Sequence, residues 1–397
     1  MTLPADTPWV LVVNAGSSSV KLAVVDPVSG RRAVTGLAER LGSDDAVAHL
    51  SRGEQRRTDP LPGGSHTEAV AHLLGLMSEE ERAALGAVGH RVVHGGSEYV
   101  GSVILDDSVV ARLEELVPLA PMHLPGGLAG ISAARELLPD LPQAAVFDTA
   151  FHSTMPPRAY RYAVPREWYS ELGVRRYGFH GTSHRFVSAK AAEMLGRPAE
   201  GLRLVTLHLG NGCSAAAVRD GRSVDTTMGF TPLEGLVMGT RSGDVDPGLL
   251  AFLADRLGTD AAGVVDALNT RSGLLGMSGS SNDMRTLLEA AAAGDDDAAL
   301  AVEVFCYRAA KSVAALAVPL GRLDAVVFTG GIGEHAAPVR AAIVAYLEVL
   351  GLRIDVDANG EHGRTTGGRI TADGPVIAMV VPTDEELLIA RDAAGLA

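Results

Sequence analysis

The sequence predicts an α/β protein of two domains, and three observations carry that prediction. The chain has 397 residues, which is enough for two domains of ordinary size, each with its own core. Hydrophobic residues make up 47% of it, and short β-branched apolar runs alternate with stretches of helical periodicity. After Asp148 the pattern becomes irregular, with Met155-Pro156-Pro157 in sequence. We therefore expect a boundary near residue 150, between a domain of residues 1–150 and one of residues 151–384.

The first domain is predicted to begin with strands and to continue as strands alternating with helices. Apolar alternation predicts strands from residue 10 to about 60, ending in a polar, Gly/Pro-rich excursion at Ser51–Gly64. Buried strands are expected at Ala87–Val93 and Ala144–Phe147. Helical spacing of apolar residues predicts three helices, at about His66–Leu85, Ser108–Leu116 and Gly127–Leu138.

Val10–Val25, which reads VLVVNAGSSSVKLAVV, is predicted to be a β-hairpin with an unusual turn. The turn carries a glycine and three serines, and Lys21 follows in the second strand. Backbone N–H groups, hydroxyls and a lysine together suit a polyphosphate, although an ordinary polar turn has the same composition. The spacing of a Walker A loop is absent.

A second hairpin resembles the first. Leu202–Leu209 and Ala215–Val218 are predicted strands, and the turn between them again carries Asn, Gly and Ser. Two such turns about half a chain apart indicate a faint internal repeat, as expected if two related domains each offer a phosphate loop.

A third glycine-rich segment follows the predicted strand at Val326–Thr329. It reads Gly330-Gly331-Ile332-Gly333-Glu334-His335-Ala336 and precedes a helix predicted to begin near Pro338. With Asp355 about twenty residues on, the segment also satisfies a loose dinucleotide-binding fingerprint. Because little chain remains after it for a βαβ array, we favour a nucleotide-contacting loop at a helix start.

Charged and polar residues stand where predicted strands end. Arg91 and Arg241 are both flanked by glycines, and Asp148 follows directly on a buried strand. Tyr177–His184 brings aromatic, glycine and histidine residues before a helix that we expect Ser183 or Thr182 to cap. Each could serve an ordinary salt bridge or turn, but strand-end loops are where α/β proteins build sites, and arginine suits carboxylates and phosphoryl groups.

The C-terminal segment offers acidic residues at a helix start. Thr383 and Glu386 have the spacing of a capping box, which by itself would explain the acidity. A carboxylate at the end of a strand could also ligate Mg²⁺, directly or through water. No Cys/His cluster has zinc spacing, and no G-x-S-x-G motif suggests a hydrolase.

Composition limits the partners. The formal net charge is −14 without a long basic run, which argues against nucleic acid and anionic membranes. Cys213 and Cys306 are too few for a disulfide framework and suit a reducing cytoplasm. The first hydrophobic run is only of strand length, so we expect no signal peptide. The longest apolar stretch, Val302–Leu320, contains three charged residues and is predicted to be a buried helix rather than a membrane span.

Taken together, these motifs resemble the acetate and propionate kinase family of the actin-like, sugar-kinase and heat-shock ATPase superfamily. The resemblance runs nearly end to end and rests on six ordered motifs: Asn14–Lys21, His90–Gly96, Phe147–His152, Tyr177–His184, His208–Gly212 and Gly330–Glu334. It implies a two-domain actin-like fold of the duplicated ribonuclease H-like type, with an ATP cleft between the domains. It also implies that a helix at about 385–397 packs back on the first domain and that the second domain mediates a homodimer.

The activity implied by the resemblance is reversible transfer of the ATP γ-phosphoryl group to acetate, giving acetyl phosphate and ADP. The implied cofactor is Mg²⁺, with Mn²⁺ as a substitute. Family motifs assign Asp148, His180, Arg241 and Arg91 to catalysis; Arg91, Val93, Leu124, Phe179 and Pro232 to the acyl substrate; Asn14 and Glu385 to the metal; and Lys21, Ser17, Ser19, His208, Leu209, Gly210, Asn211, Gly212, Asp283, Met284, Arg285, Gly331, Ile332, Gly333, Glu334 and His335 to the nucleotide.

Physical chemistry refines one role and leaves others open. A carboxylate acceptor has a pKa near 4 to 5 and is already ionised at pH 7, so Asp148 need not remove a proton. We expect it to orient an arginine or a metal-bound water instead. His335 stands where the family often has asparagine, which leaves that nucleotide contact open. A propionate kinase, an actin-like ATPase binding module and a dinucleotide-dependent oxidoreductase are the alternatives.

Overall fold

The computed structural model describes residues 7–121 and 123–397, and the chain divides into two compact units. The first unit holds the residues through Phe151 together with Asp384–Ala397, so the C-terminal helix belongs with the N-terminal part of the chain. The second unit runs from His152 to Thr383.

The first unit is built on an eight-stranded mixed sheet with the strand order β5-β4-β3-β2-β1-β6-β8-β7. Its strands are β1 (Trp9–Ala15), β2 (Ser19–Val25), β3 (Arg32–Glu39), β4 (Val47–Arg52), β5 (Gln55–Pro60), β6 (Leu85–Val92), β7 (Val103–Ile104) and β8 (Gln143–Phe147). Its helices are α1 (His66–Gly75), α2 (Glu79–Ala83), α3 (Asp107–Glu115), α4 (Leu124–Leu137) and, from the other end of the chain, α16 (Glu385–Leu396).

Helices cover both faces of the central strands. Val88 belongs to the core that α1 and α4 complete on one face, with Ala133 and Ala134 of α4. The next residue, Gly89, points the other way, where an added Cβ would lie 2.7 Å from Ile389 Cγ2 on α16. Since successive residues of a strand face opposite sides, the parallel strands β1, β6 and β8 are buried from both directions.

The predicted first hairpin is confirmed, with β1 and β2 antiparallel and Asn14 opposite Lys21. Two neighbouring predictions are wrong. The polar excursion at Ser51–Gly64 contains β5, an exposed edge strand paired with β4, because a strand at a sheet edge needs no apolar face. The expected helix at His66–Leu85 is two helices, since Ser78 forms a capping box that begins α2.

The second unit is built on a five-stranded sheet with the order β11-β10-β9-β12-β13. Its strands are β9 (Arg203–Leu209), β10 (Cys213–Arg219), β11 (Arg222–Thr226), β12 (Ala325–Thr329) and β13 (Ile377–Val380). Its helices are α5 (Pro157–Tyr160), α6 (Arg166–Leu172), α7 (Gly181–Met194), α8 (Gly248–Leu257), α9 (Ala261–Thr270), α10 (Gly273–Ser278), α11 (Met284–Ala292), α12 (Asp296–Ala317), α13 (Gly330–His335), α14 (Ala337–Tyr346) and α15 (Val356–Gly360).

The second hairpin, β9 with β10, is confirmed, and β12 runs parallel to β9 on its other side. The third glycine-rich segment is not a loop before a helix, because residues 330–335 themselves form the short helix α13. Asp355 caps α15 by accepting a hydrogen bond from Ala358 N, so the structure gives the dinucleotide fingerprint no βαβ frame.

Both helix caps expected from sequence are wrong. Helix α7 begins after His180, whose φ of 55° is left-handed, and neither Ser183 nor Thr182 caps it. Helix α16 is capped by Asp384, which accepts a hydrogen bond from Leu387 N, while Thr383 lies before the cap. Within residues 7–121 and 123–397, no helix combines the length and apolarity needed to cross a membrane.

Candidate active site

In the first unit, two hydrogen bonds to one carboxylate hold the side chain of Arg91. Strands β6 and β8 are parallel neighbours, so Arg91 near the end of one and Asp148 just after the other meet at the same sheet edge. Arg91 Nε lies 3.0 Å from Asp148 Oδ1, and Arg91 Nη2 lies 2.7 Å from Oδ2. Burial opposes the charge of Arg91, but Asp148 and Glu385 outweigh that effect and raise its pKa above the ordinary value. The guanidinium is therefore a fixed, permanent cation.

The two residues predicted to associate with the metal also lie at this arginine. Asn14 Oδ1 is 3.4 Å from Arg91 Nη1, and Glu385 Oε2 is 3.9 Å from Arg91 Nε. Across the described part of the chain, no three His, Cys, Asp or Glu side chains come together as a ready-made metal cage. Amide and carboxylate oxygens nevertheless fit Mg²⁺, which keeps several waters and binds through one or two carboxylates plus substrate phosphates.

Helices α1 and α4 contact the turn of the first hairpin on the side away from solvent. The Gly16 carbonyl accepts a hydrogen bond from His66 Nε2 at 2.7 Å, and a Cβ on Gly126 would lie 2.3 Å from that oxygen. Ser17 is exposed and Ser19 half-buried, while Lys21 is exposed on β2 opposite Asn14. Helices α1 and α4 thus fix the backbone, and the predicted phosphate-binding side chains face outward.

Two of the predicted acyl-pocket residues lie together in the first unit. Val93 and Leu124 line a narrow apolar crevice beside Arg91 that has no room for a water molecule. The sequence did not predict the other apolar residues that line it, which are Ala15, Val92, Leu113, Leu128 and Ile131. Leu113 and Ile131 follow the helical periodicity of α3 and α4, so that spacing marks them as inward-facing.

The other two predicted acyl-pocket residues, Phe179 and Pro232, belong to the second unit. Phe179 is buried, and its carbonyl accepts from His152 Nε2 at 3.0 Å. The Pro232 carbonyl accepts from Arg241 Nη1 at 2.7 Å, which joins the loop of Pro232 to that of Arg241.

His180 and Arg241 converge above Gly212. A Cβ on Gly212 would lie 3.1 Å from Arg241 Nη2 and 3.3 Å from His180 Nε2, so any other residue here would press on both side chains. Burial lowers the pKa of Arg241, which nonetheless remains a cation at neutral pH. A guanidinium and an imidazole therefore lie side by side at the turn of the second hairpin, where an anion would be stabilised.

A cavity of about 610 Å³ adjoins the same turn in the second unit. Eight predicted nucleotide residues line it: Gly210, Asn211, Asp283, Met284, Arg285, Gly331, Ile332 and His335. Asp283 caps α11 by accepting from Arg285 N, and its ion pair with the Arg285 side chain lowers the Asp283 pKa to about 2. The cavity has the size and the mix of apolar and polar walls of a small-ligand site.

Five predicted nucleotide residues of the second unit do not line this cavity. Leu209 and Gly333 are buried, and Gly212 lies below His180 and Arg241. His208 Nδ1 bonds to Ser183 Oγ at 2.8 Å, and Glu334 accepts from the backbone N–H groups of Gly330 and Thr383. These residues therefore contact their neighbours in the fold and not the cavity.

Four residues that line the cavity were missed from the sequence. Leu288 lies one helical turn after Met284 on α11, a spacing that could have marked it. Asn282 Nδ2 donates to Asn211 Oδ1 at 3.1 Å, across a sequence separation that no local pattern reveals. Ala336 and Pro338 complete the wall at the start of α14.

A family model described as the acetokinase family matches residues 9–391. The chain belongs to the acetokinase family. The family match covers both units, so the Arg91–Asp148 pair and the cavity by Gly331 are parts of one acetokinase-family chain. It is a family of phosphotransferases whose acceptor is a carboxyl group.

Named relatives agree with the family assignment. The chain is 57% identical over 385 residues to the acetate kinase of Deinococcus deserti, covering 96% of each chain. It is 53% identical over 387 residues to that of Deinococcus radiodurans, covering 97% of each.

Solved structures of the acetokinase family share the fold. A propionate kinase from Francisella tularensis superposes with a TM-score of 0.94 at 42% identity, over 98% of this chain and 100% of that one. The acetate kinase of Porphyromonas gingivalis superposes with a TM-score of 0.91 at 42% identity, over 98% and 99%. The predicted fold class is thereby confirmed as mixed α/β with two sheets, of the actin-like and sugar-kinase type.

Proposed function

We propose that this member of the acetokinase family transfers the γ-phosphoryl group of ATP reversibly to acetate, giving acetyl phosphate and ADP. The observation that carries the proposal is the guanidinium of Arg91, held by Asp148 next to an apolar wall that includes Val93 and Leu124. A planar cation beside a short apolar wall suits a small carboxylate, since arginine pairs with carboxylates at two points. The names of the curated relatives favour acetate over propionate.

The chemistry follows from charge placement. The acceptor carboxylate is ionised at neutral pH, so no general base is needed, and catalysis reduces to positioning and electrostatic stabilisation. Arg91 would bind the acceptor, and His180 with Arg241 would stabilise the phosphoryl oxygens. Because Asp148 already accepts two hydrogen bonds from Arg91, its role is to orient that guanidinium. Eight residues around the 610 Å³ cavity would bind ATP.

A divalent cation completes the proposal. Mg²⁺, or Mn²⁺ in its place, would be held by Asn14 and Glu385 and would neutralise charge on the nucleotide phosphates. Ser17, Ser19 and Lys21 of the first hairpin would contact those phosphates. In an acidic protein of net charge −14, such local cations are needed to bind anionic substrates.

We also propose a homodimer formed through the second unit. Helix α8 has no buried residue within one chain. Three of its large apolar side chains are exposed, Leu249 by 39%, Phe252 by 57% and Leu257 by 67%. A second copy of this chain would cover that helix. Light scattering after size exclusion should give twice the chain mass, and Phe252→Glu should give the monomer.

We place the protein in the cytoplasm, where the buried thiols of Cys213 and Cys306 would stay reduced.

Hydroxylamine trapping tests the reaction. The enzyme is incubated with ATP, MgCl₂ and either acetate or propionate, and acyl hydroxamate is measured. We expect acetyl hydroxamate in the wild type, very little in Arg91→Ala, and wild-type yield in the control Arg364→Ala, which alters an exposed arginine. No hydroxamate with either acid would refute the proposed reaction, whereas faster turnover of propionate would refute only the choice of acetate.

A further inference from the structure

In the second unit, the hydroxyl of Ser214 lies between two histidines, His180 and His184. Ser214 Oγ is 2.9 Å from His180 Nδ1 and 2.8 Å from His184 Nε2. His180 and His184 are one turn apart at the start of α7, and His184 N donates to the His180 carbonyl at 2.9 Å. The hydroxyl has a single proton, so it can donate to only one of the two rings.

The chain of hydrogen bonds continues to a second hydroxyl. His184 Nδ1 is 2.7 Å from Thr206 Oγ1, so both ring nitrogens of His184 face hydroxyl groups. Thr206, His184 and Ser214 are all fully buried. Burial, with smaller contributions from His152 and His208, holds the pKa of His184 well below its ordinary value, so this ring is neutral and carries one N–H.

Thr206 Oγ1 has two acceptors within reach, the Ala216 carbonyl at 3.4 Å, to which the hydroxyl donates a long hydrogen bond, and His184 Nδ1 at 2.7 Å. Only the contact with His184 has the ordinary length of a hydroxyl hydrogen bond, so the hydrogen bonds can run from Thr206 to His184 through it. With Nδ1 accepting, the proton of His184 is on Nε2 and is donated to Ser214 Oγ. The Ser214 hydroxyl then donates to His180 Nδ1.

We infer that Thr206, His184 and Ser214 form a directional hydrogen-bond relay that keeps neutral His180 protonated on Nε2, the nitrogen above Gly212 beside Arg241. His180 can then donate to a phosphoryl oxygen without first becoming an imidazolium. The three are positioning residues that act through His180, and this inference rests on the role proposed above for that histidine. The side chain that contacts substrate is fixed by groups that do not, as for metal-bound histidines.

Imidazole ¹⁵N NMR tests the relay directly. Two-bond ¹H–¹⁵N spectra distinguish a protonated ring nitrogen from an unprotonated one, and among the 12 histidines the His180 signals are those absent from His180→Gln. In the wild type without substrates, at a pH where His180 is neutral, we expect the proton on Nε2. Ser214→Ala removes the donor to Nδ1 and should raise the fraction protonated there.

A matched pair of variants separates the relay from packing. Thr206→Val keeps the branched shape but removes the hydroxyl, and it should weaken the Nε2 preference of His180 although Thr206 lies two side chains away in the relay. Thr206→Ser keeps the hydroxyl and should retain the wild-type tautomer. Ser223→Ala removes an equally buried serine that bonds to His152 at 2.8 Å and should leave the His180 tautomer unchanged.

Kinetics give the second readout. Ser214→Ala and Thr206→Val should lower kcat for acetyl phosphate formation about 10- to 100-fold with little change in KM for ATP. A wild-type proton on Nδ1, or a His180 tautomer unchanged in both variants, would overturn the relay. Because the tautomer is read without substrate, a failure of the hydroxamate assay would refute the proposed reaction and leave the relay tested on its own.

Discussion

Arg340 is a buried arginine whose removal should destabilise the second unit and weaken ATP binding together. The side chain is 0% exposed, on α14. Its guanidinium donates to Asn359 Oδ1 and O at 2.8 and 2.7 Å and to the carbonyls of Gly333 and Glu334 at 2.9 Å. It also bonds to His362 Nδ1 at 2.9 Å. The perturbation is Arg340→Met, which keeps much of the length and none of the donors.

The magnitude follows from two opposing contributions. Hydrogen bonds from a charged donor contribute about 1.5 kcal/mol each at the lower end, so the five together contribute about 7 kcal/mol. Burial lowers the pKa of Arg340 from 12.5 to about 10, which corresponds to about 3 kcal/mol against the charged form. Arg340→Met loses the first contribution and is relieved of the second. The free energy of unfolding should fall by about 4 kcal/mol, as expected when a buried charged partner is removed.

The link to function is the short helix α13. Arg340 holds the carbonyls of Gly333 and Glu334 near the end of that helix, whose residues Gly331 and Ile332 line the cavity. A loosened α13 should therefore raise the Kd for ATP as well. Arg340→Lys should not preserve the wild-type stability or Kd for ATP, since a lysine has three donors at one point and cannot reach five acceptors.

Urea unfolding followed by circular dichroism, with ATP titrations on the folded variants, measures both effects. The control is Arg364→Met, which changes an exposed arginine and should alter the free energy of unfolding by no more than about 0.5 kcal/mol. If Arg340→Met loses less than about 1 kcal/mol, or if Arg340→Lys behaves as the wild type, the reasoning is wrong.

Three further predictions test other parts of the molecule. Asp148→Asn should lower kcat about 10- to 100-fold by misplacing its arginine, and recovery of activity at low pH would contradict this role. Gly331→Val should raise KM for ATP about tenfold without unfolding the protein, because its Cβ meets nothing within 4 Å and enters the cavity wall, whereas Gly75→Val at an exposed position of α1 should not. Burial lowers the pKa of His90 and His152 to about 4, so below pH 6.5 the unfolded chain binds more protons. The free energy of unfolding should therefore fall by about 2 kcal/mol per histidine from pH 7 to pH 5, and equal urea midpoints at the two pH values would refute it.

The sequence alone was sufficient for features that depend on local pattern. Alternating apolar runs around small polar turns predicted both hairpins, because strand periodicity and turn residues are local properties of the chain. The same pattern placed Arg91 and Asp148 at the ends of buried strands, and parallel strands bring such ends to one edge. Ordered motifs along the whole chain were enough to predict the family.

Helix caps show where local pattern fails. Ser183 and Thr383 have good capping residue types, yet their hydroxyls lie 3.0 Å apart, and Ser183 also bonds to His208. A hydroxyl takes the partners that the fold brings near, and these lie 25 and 200 residues away in sequence. Capping rules describe only the neighbours within one turn.

The chain's own sequence therefore determined its fold class, its strand-end residues and its family, since each is carried by spacing along the chain. Only the tertiary structure decided which atoms share protons and which charges are held in place. Ser214 and Thr206 look like ordinary strand residues until α7 packs its histidines onto them, and Arg340 looks like a surface residue until five acceptors surround it. Hydrogen-bond geometry is fixed by packing between elements distant in sequence, and that is the information a local pattern lacks.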